Sequence, residues 1–209
     1  MTKELTKRIL SSIIILPLAF YFLLSGSFMT IFFMITCFFI ACYEWHMMTK
    51  NSFHKVSGLI FLGFSFYTFY ILSIELYFLI FVILISISTD IGGYVFGKIF
   101  KGPKLTKISP NKTYSGMIGG YFLSLIFLLI ITNFIDYPKT PIQLVIIVLL
   151  ISTISQIGDI VVSYFKRLTK IKNTGNLIPG HGGLLDRIDG MIFAVPFFYL
   201  IELTGYLNI

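Results

Sequence analysis

The sequence predicts an all-α polytopic membrane protein with about seven transmembrane helices, its N-terminus cytoplasmic and its C-terminus on the outer side. Three observations predict it. Of the 209 residues 56% are hydrophobic, with 23 Phe and 12 Tyr, more apolar surface than one soluble core of this length can hide. The mean hydropathy of +0.91 makes lipid the natural solvent. The apolar residues gather in seven runs, 9–25, 28–43, 56–73, 76–89, 117–135, 141–158 and 190–205, and the basic residues fall almost entirely in alternate connections. No polar stretch is long enough for an extramembrane domain, so the expectation is a single integral membrane domain over 1–209.

Taken in order, residues 1–26 have a basic start and an apolar run. The run ends in Ser-Gly-Ser-Phe rather than an Ala-x-Ala-like cleavage site, which makes it a first span rather than a signal peptide. Cys37 and Cys42 lie in the second run at i,i+5. That spacing suits neither a metal knuckle nor a redox pair, and they read as small buried residues. The connections at 25–27 and 73–75 are very short, so their flanking helices should be antiparallel. Several runs are shorter than the ~20 residues a perpendicular helix needs and must be extended by their neighbours.

Orientation follows from the cations. Lys3, Lys7 and Arg8 precede run one; Lys50 and Lys55 lie between runs two and three. Lys98, Lys101, Lys104, Lys107 and Lys112 lie between runs four and five. Lys166, Arg167, Lys170, Lys172 and Arg187 lie between runs six and seven, and only Lys139 falls on the other side. The positive-inside rule makes the fifteen cytoplasmic. A net charge of +7 there suits anionic headgroups and phosphates, although a topogenic role alone would account for most of these lysines. Five of the nine acids, Glu44, Asp90, Asp159, Asp186 and Asp189, fall at the same boundary, while Glu75, Asp136 and Glu202 fall toward the outer side and Glu4 in the N-terminal tail. Carboxylates from several helices at one depth could hold hard divalent cations.

Two connections carry the chemistry, at about 90–116 and 159–189. In the first, glycines at 92, 93, 97, 102, 116, 119 and 120 are interleaved with lysines, and 109–113 reads Ser-Pro-Asn-Lys-Thr. Glycine lets backbone N–H groups approach a phosphate and lysine adds point charges. The motif is no P-loop, and a basic loop with packing glycines remains the plain alternative. In the second, a continued helix would stack Asp159, Ser163 and Arg167 at i,i+4, with Lys166 and Lys170 on the next ridge. Residues 173–176 break it, and Pro179-Gly180 turns the chain. His181-Gly182-Gly183 then gives a donor-rich loop, followed by Asp186 and Asp189 at i,i+3 with Arg187 beside them. Asp189 is also placed to cap the last helix.

This segment resembles the phosphatidate cytidylyltransferases, also called CDP-diacylglycerol synthases. Their pattern is Ser, two residues, Lys-Arg, four residues, Lys-Asp, a short stretch, His-Gly-Gly, two residues, Asp-Arg, one residue, Asp. Ser163, Lys166, Arg167, Lys172, His181, Gly182, Gly183, Asp186, Arg187 and Asp189 match in order and spacing, with Asn173 in place of the Asp. In the first loop Asp90, Tyr94, Gly97, Lys98, Ser109, Pro110, Lys112, Thr113 and Gly116 match, with Asn111 for a Lys and Ser115 for a Glu; Asp159 fits the motif four residues before the Ser. The resemblance is strong over about 85–195.

The resemblance implies transfer of the cytidylyl group of CTP to phosphatidic acid, giving CDP-diacylglycerol and pyrophosphate with Mg²⁺, the presence of a second cation left open. It implies a bacterial inner-membrane protein with its site facing the cytoplasm, and it carries over homodimers as an expectation; no nucleic-acid partner is expected. The catalytic set would be Asp159, Lys166, Arg167, His181, Asp186 and Arg187. Asp159 and Asp186 would be metal ligands, with Asp189 as a further ligand or a support behind them. Asp90, Lys98, Ser109, Lys112, Thr113, Ser163, Lys172, Gly182 and Gly183 would bind substrate. Other readings are CTP-dependent activation of a different lipid phosphate and, against the lack of mid-span charges, an anion or lipid transporter. A CDP-alcohol phosphatidyltransferase is disfavoured because its D-G-x-x-A-R pattern is absent.

Overall fold

A computed structural model describes residues 17–25, 27–133, 141–177, 180 and 182–205. The described residues form helices: α1 over 17–24, α2 Ser27–Met48, α3 Ser52–Ile74, α4 Leu76–Phe100, α5 Tyr114–Ile131, α6 Pro141–Leu168, α7 Leu185–Ile188 and α8 Met191–Leu203. No strand occurs among them; Lys104 and Thr113 form an isolated bridge. Five helices, α2 to α6, are long and apolar enough to cross a membrane. The first part of the expected first span, 9–16, lies outside the described residues. The expected last span is represented by α8, whose 13 residues rise only about 20 Å, short of the ~30 Å hydrocarbon core.

The largest departure from the sequence expectation is in α4. The apolar run was expected to end at Asp90 and give way to a loop, yet the helix continues through Gly92, Gly93 and Gly97 to Phe100. These glycines pack helices rather than turn the chain. A Cβ on Gly92 would lie 2.3 Å from the Gly119 carbonyl oxygen, and one on Gly116 would lie 2.6 Å from that of Gly93. α4 and α5 therefore touch backbone to backbone. Without water between helices, close packing of this kind is the main attraction available in a bilayer. The loop proper is 101–113.

The described chain falls into two compact units. The first comprises the residues up to Ile74 with Phe165–Ile188; the second comprises Glu75–Tyr164 with the residues from Asp189 on. α6 belongs to the second unit except for its last four residues. In the first unit, α2 and α3 form a hairpin. The Trp45 indole donates to the His54 carbonyl at 3.0 Å, and its ring fills the space over Gly58. Phe165 meets Trp45 edge-on at 4.8 Å.

In the second unit, α4, α5, α6 and α8 share a core that includes Phe78, Val82, Ile85, Val148, Ile151, Val195 and Phe198. Hydroxyls cross it: Thr89 donates to Ser152 Oγ at 2.9 Å, and Tyr121 and Thr153 share a hydrogen bond at 2.9 Å. Such bonds average only about 0.6 kcal/mol in membranes, so the glycine contact and the apolar core hold this unit while the hydroxyls set register. The outward faces carry exposed Phe122, Leu129, Ile142 and Ile146, as lipid contact requires.

Candidate active site

In the second unit a cavity of about 300 Å³ opens beside the glycine seam of α4 and α5. Asp90 and Gly93 reach it from α4, and Gln156 and Asp159 from α6. Ser109, Asn111, Lys112 and Thr113 reach it from the 101–113 loop. The loop is held by its own hydrogen bonds: Leu105 N–H to the Lys112 carbonyl at 2.7 Å and Lys112 N–H to that of Ser109 at 3.0 Å. Thr113 then caps α5, its hydroxyl accepting from Gly116 N–H at 3.1 Å. Ser115, which stands where the resembling family has Glu, donates to the Lys101 carbonyl and shares a hydrogen bond with Thr113. It fastens the base of the loop and lies outside the cavity lining.

Lys112 Nζ pairs with Asp159 Oδ2, and Ser163, one turn further along α6, donates to Asp159 Oδ1 at 3.3 Å. The Lys112 and Asp159 side chains are 24% and 27% exposed, so solvent weakens the pair and either partner can exchange it for a ligand. Lys98 instead lies over the Tyr94 ring, 5.7 Å from its centroid, and is not among the residues lining the cavity.

The first unit contains a second cluster. Asp186 Oδ1 accepts from Lys166 Nζ at 2.9 Å. Its Oδ2 accepts from Thr174 N–H at 2.8 Å and Gly183 N–H at 3.0 Å. These side chains are only 10% and 6% exposed, so this pair is a fixed element, costly to break. Gly182 has φ +94°, and a Cβ there would lie 2.7 Å from Asp186 Oδ2. The glycines were expected to bring amides to a phosphate; here the Gly183 amide is given to Asp186. Arg167 donates to the Ile171 carbonyl at 3.1 Å and so closes the C-terminal turn of α6, where Lys170 has φ +59°. Lys172, Asn173 and Arg187 are exposed, and His181 lies outside the described residues.

Asp189 belongs to the second unit. Its Oδ1 accepts from Gly190 N–H at 3.0 Å, while the cap position of α8 is Gly190 itself, without a side-chain bond. Glu44, at the end of α2, turns out to be bonded to the 174–185 segment, accepting from Thr174 Oγ1, Leu184 N–H and Leu185 N–H. The sequence marks Glu44 as a boundary acid, but no local pattern connects it to residues more than a hundred positions away.

The donor set of the cavity fits a hard divalent ion. Asp90 and Asp159 supply two carboxylates, with Ser109 and Gln156 on the same wall. Mg²⁺ is typically held by one or two carboxylates and completes its octahedron with water and phosphate oxygens. Among the described residues no group of three or more His, Cys, Asp and Glu is gathered tightly enough to enclose an ion without such help.

The model of the cytidylyltransferase family matches residues 71–204, a span that contains the cavity and the Asp186 turn. Proteins named phosphatidate cytidylyltransferase are similar over the same scale. That of Staphylococcus aureus is 42% identical over 138 residues, 65% of this chain and 53% of the relative. That of Staphylococcus saprophyticus is 42% identical over 122 residues, 58% and 47%, and that of Bacillus subtilis 43% identical over 115 residues, 54% and 43%. The chain spans about half the length of the curated relatives it matches. With a match over well more than half of its residues, and the motif carboxylates and lysines inside it, the chain belongs to the cytidylyltransferase family.

Proposed function

We propose that this protein transfers the cytidylyl group of CTP to phosphatidic acid, releasing pyrophosphate and leaving CDP-diacylglycerol in the membrane. The observation that carries this reading is the gathering of Asp90, Ser109, Lys112, Thr113 and Asp159 around one cavity, in a chain similar to proteins of that name.

An oxygen of the lipid phosphate attacks the α-phosphorus of CTP. The new P–O bond forms as the bond to the α–β bridging oxygen breaks, and pyrophosphate departs with that electron pair. A phosphate oxyanion is already ionised near neutral pH, so no strong general base is needed. The difficulty is bringing two polyanions together, and preorganised positive charge and hydrogen-bond donors answer it. Lys112 serves the CTP phosphates, oriented by Asp159 until substrate arrives. Ser109 and Asn111 add donors from the same loop. Asp90 and Asp159 would hold a Mg²⁺ ion, which would supply further positive charge for the phosphoryl oxygens. Asp186 ties Thr174 to Gly183 through their backbone N–H groups.

The reading includes seven spans, a cytoplasmic N-terminus and a cytoplasmic site in a bacterial inner membrane, supported by the distribution of the fifteen cations. The test is direct. Purified protein in detergent, given CTP, phosphatidic acid and Mg²⁺, should form CDP-diacylglycerol; EDTA should abolish product and added Mg²⁺ restore it. No product from the wild type across several divalent metals would overturn the assignment. Product from another lipid phosphate alone would redirect it.

A further inference from the structure

Glu44 lies outside residues 71–204, the span the family model covers, and it is 3% exposed. Its Oε1 accepts from Leu184 N–H at 2.8 Å, and its Oε2 from Leu185 N–H at 2.9 Å and Thr174 Oγ1 at 2.8 Å. No Lys or Arg forms a salt bridge with it among the described residues. Burying a carboxylate without a cation is costly, and three short bonds from fixed donors are what offset it. An apolar residue at this helix end would avoid the cost, so the carboxylate is there to hold what it binds.

What it holds is the segment that also carries Asp186. A Cβ on Gly183 would lie 2.5 Å from Glu44 Oε2 and 2.2 Å from Thr174 Oγ1, and one on Gly175 would lie 2.9 Å from Glu44 Oε1. The carboxylate thus sits between Thr174-Gly175 and Gly183-Leu185, and glycine at 175 and 183 makes room for it. Asp186 binds the same two stretches through Thr174 N–H and Gly183 N–H. The two acids grip one turn, and Lys166 anchors Asp186 in place.

We infer that Glu44 is a positioning residue for the cytidylyl transfer. It comes from the N-terminal hairpin and fixes the turn that presents Asp186, Gly182 and Gly183. This rests on the function proposed above. The experiment combines hydrogen exchange of the detergent-solubilised protein with steady-state kinetics on Glu44→Gln, Glu44→Asp and Thr174→Val. In Glu44→Gln, the amide replaces one acceptor by a donor facing an N–H. Exchange at Leu184 and Leu185 should rise at least tenfold while α4 and α5 are unchanged, and kcat should fall about tenfold or more with KM for CTP within about threefold. Glu44→Asp should recover part of both, and Thr174→Val should give a smaller change in the same segment. Unchanged exchange at 184–185, or faster exchange spread equally over all helices, would overturn the inference; so would wild-type kcat in Glu44→Gln alongside a loosened turn. If the wild type makes no CDP-diacylglycerol, the proposed function fails on its own, and the exchange data still decide whether Glu44 holds the turn.

Discussion

Two aspartates carry most of the polar chemistry, and their burial separates their roles. Asp159 and Lys112 are about a quarter exposed and line the cavity. Replacing Lys112 by Ala should leave folding nearly intact, since an exposed pair is worth about 0–1 kcal/mol. It should cost roughly 10²- to 10³-fold in kcat, as loss of a preorganised charge does; Lys112→Ala kinetics beside its melting curve would show the split. Asp186 differs because its partner Lys166 is buried with it. Asp186→Ala strands a buried ammonium and two amides, so a loss of about 3–5 kcal/mol in stability is expected. A rate loss of roughly 10³-fold or more should accompany it. Near-normal turnover in Asp186→Ala would remove this residue from the site.

At the scale of elements, the glycine seam between α4 and α5 decides the shape of the cavity wall. Gly93 and Gly116 both line the cavity and meet where a Cβ would be 2.6 Å from a carbonyl. Gly116→Val should push the helices apart, at a cost of about 1–3 kcal/mol, which lowers the melting temperature by several degrees for a chain of this size. CTP turnover should fall with it. Gly63→Val is the control, because a Cβ at Gly63 meets nothing within 4 Å; its melting temperature should stay near wild type. The same seam explains why α4 continues past Asp90. Glycine in a helix costs about 1 kcal/mol relative to Ala, but the backbone contact with α5 outweighs it.

At the scale of the whole molecule, the arrangement across the membrane is the property to test. In a background with Cys37 and Cys42 replaced by Ala, Lys139→Cys in intact cells should react with a membrane-impermeant maleimide. Lys104→Cys should react only after permeabilisation. The reverse pattern would invert the proposed orientation and put the cavity on the wrong side for CTP.

Much of this protein was legible in its sequence because hydropathy and charge are local properties. Among the described residues, five of the apolar runs became helices long enough to cross a membrane, α2 to α6. The Ser163-to-Asp189 spacing marks the family. Pairing, by contrast, depends on which residues the fold brings together. Nothing near Glu44 signals a bond to Leu184, 140 residues on, and nothing near Asp159 names Lys112 as its partner. The glycines at 92 and 93 read equally as loop or seam until the opposite backbone is present. That the Gly183 amide is given to Asp186 is likewise visible only once the chain is folded. The sequence by itself determined a helical membrane protein of this family; Asp90 and Asp159, expected at the ends of their apolar runs, instead lie within α4 and α6. Only the tertiary structure decided which acid stays exchangeable in a cavity and which are consumed in holding a turn, because burial and hydrogen-bond partners come from contacts distant in the chain.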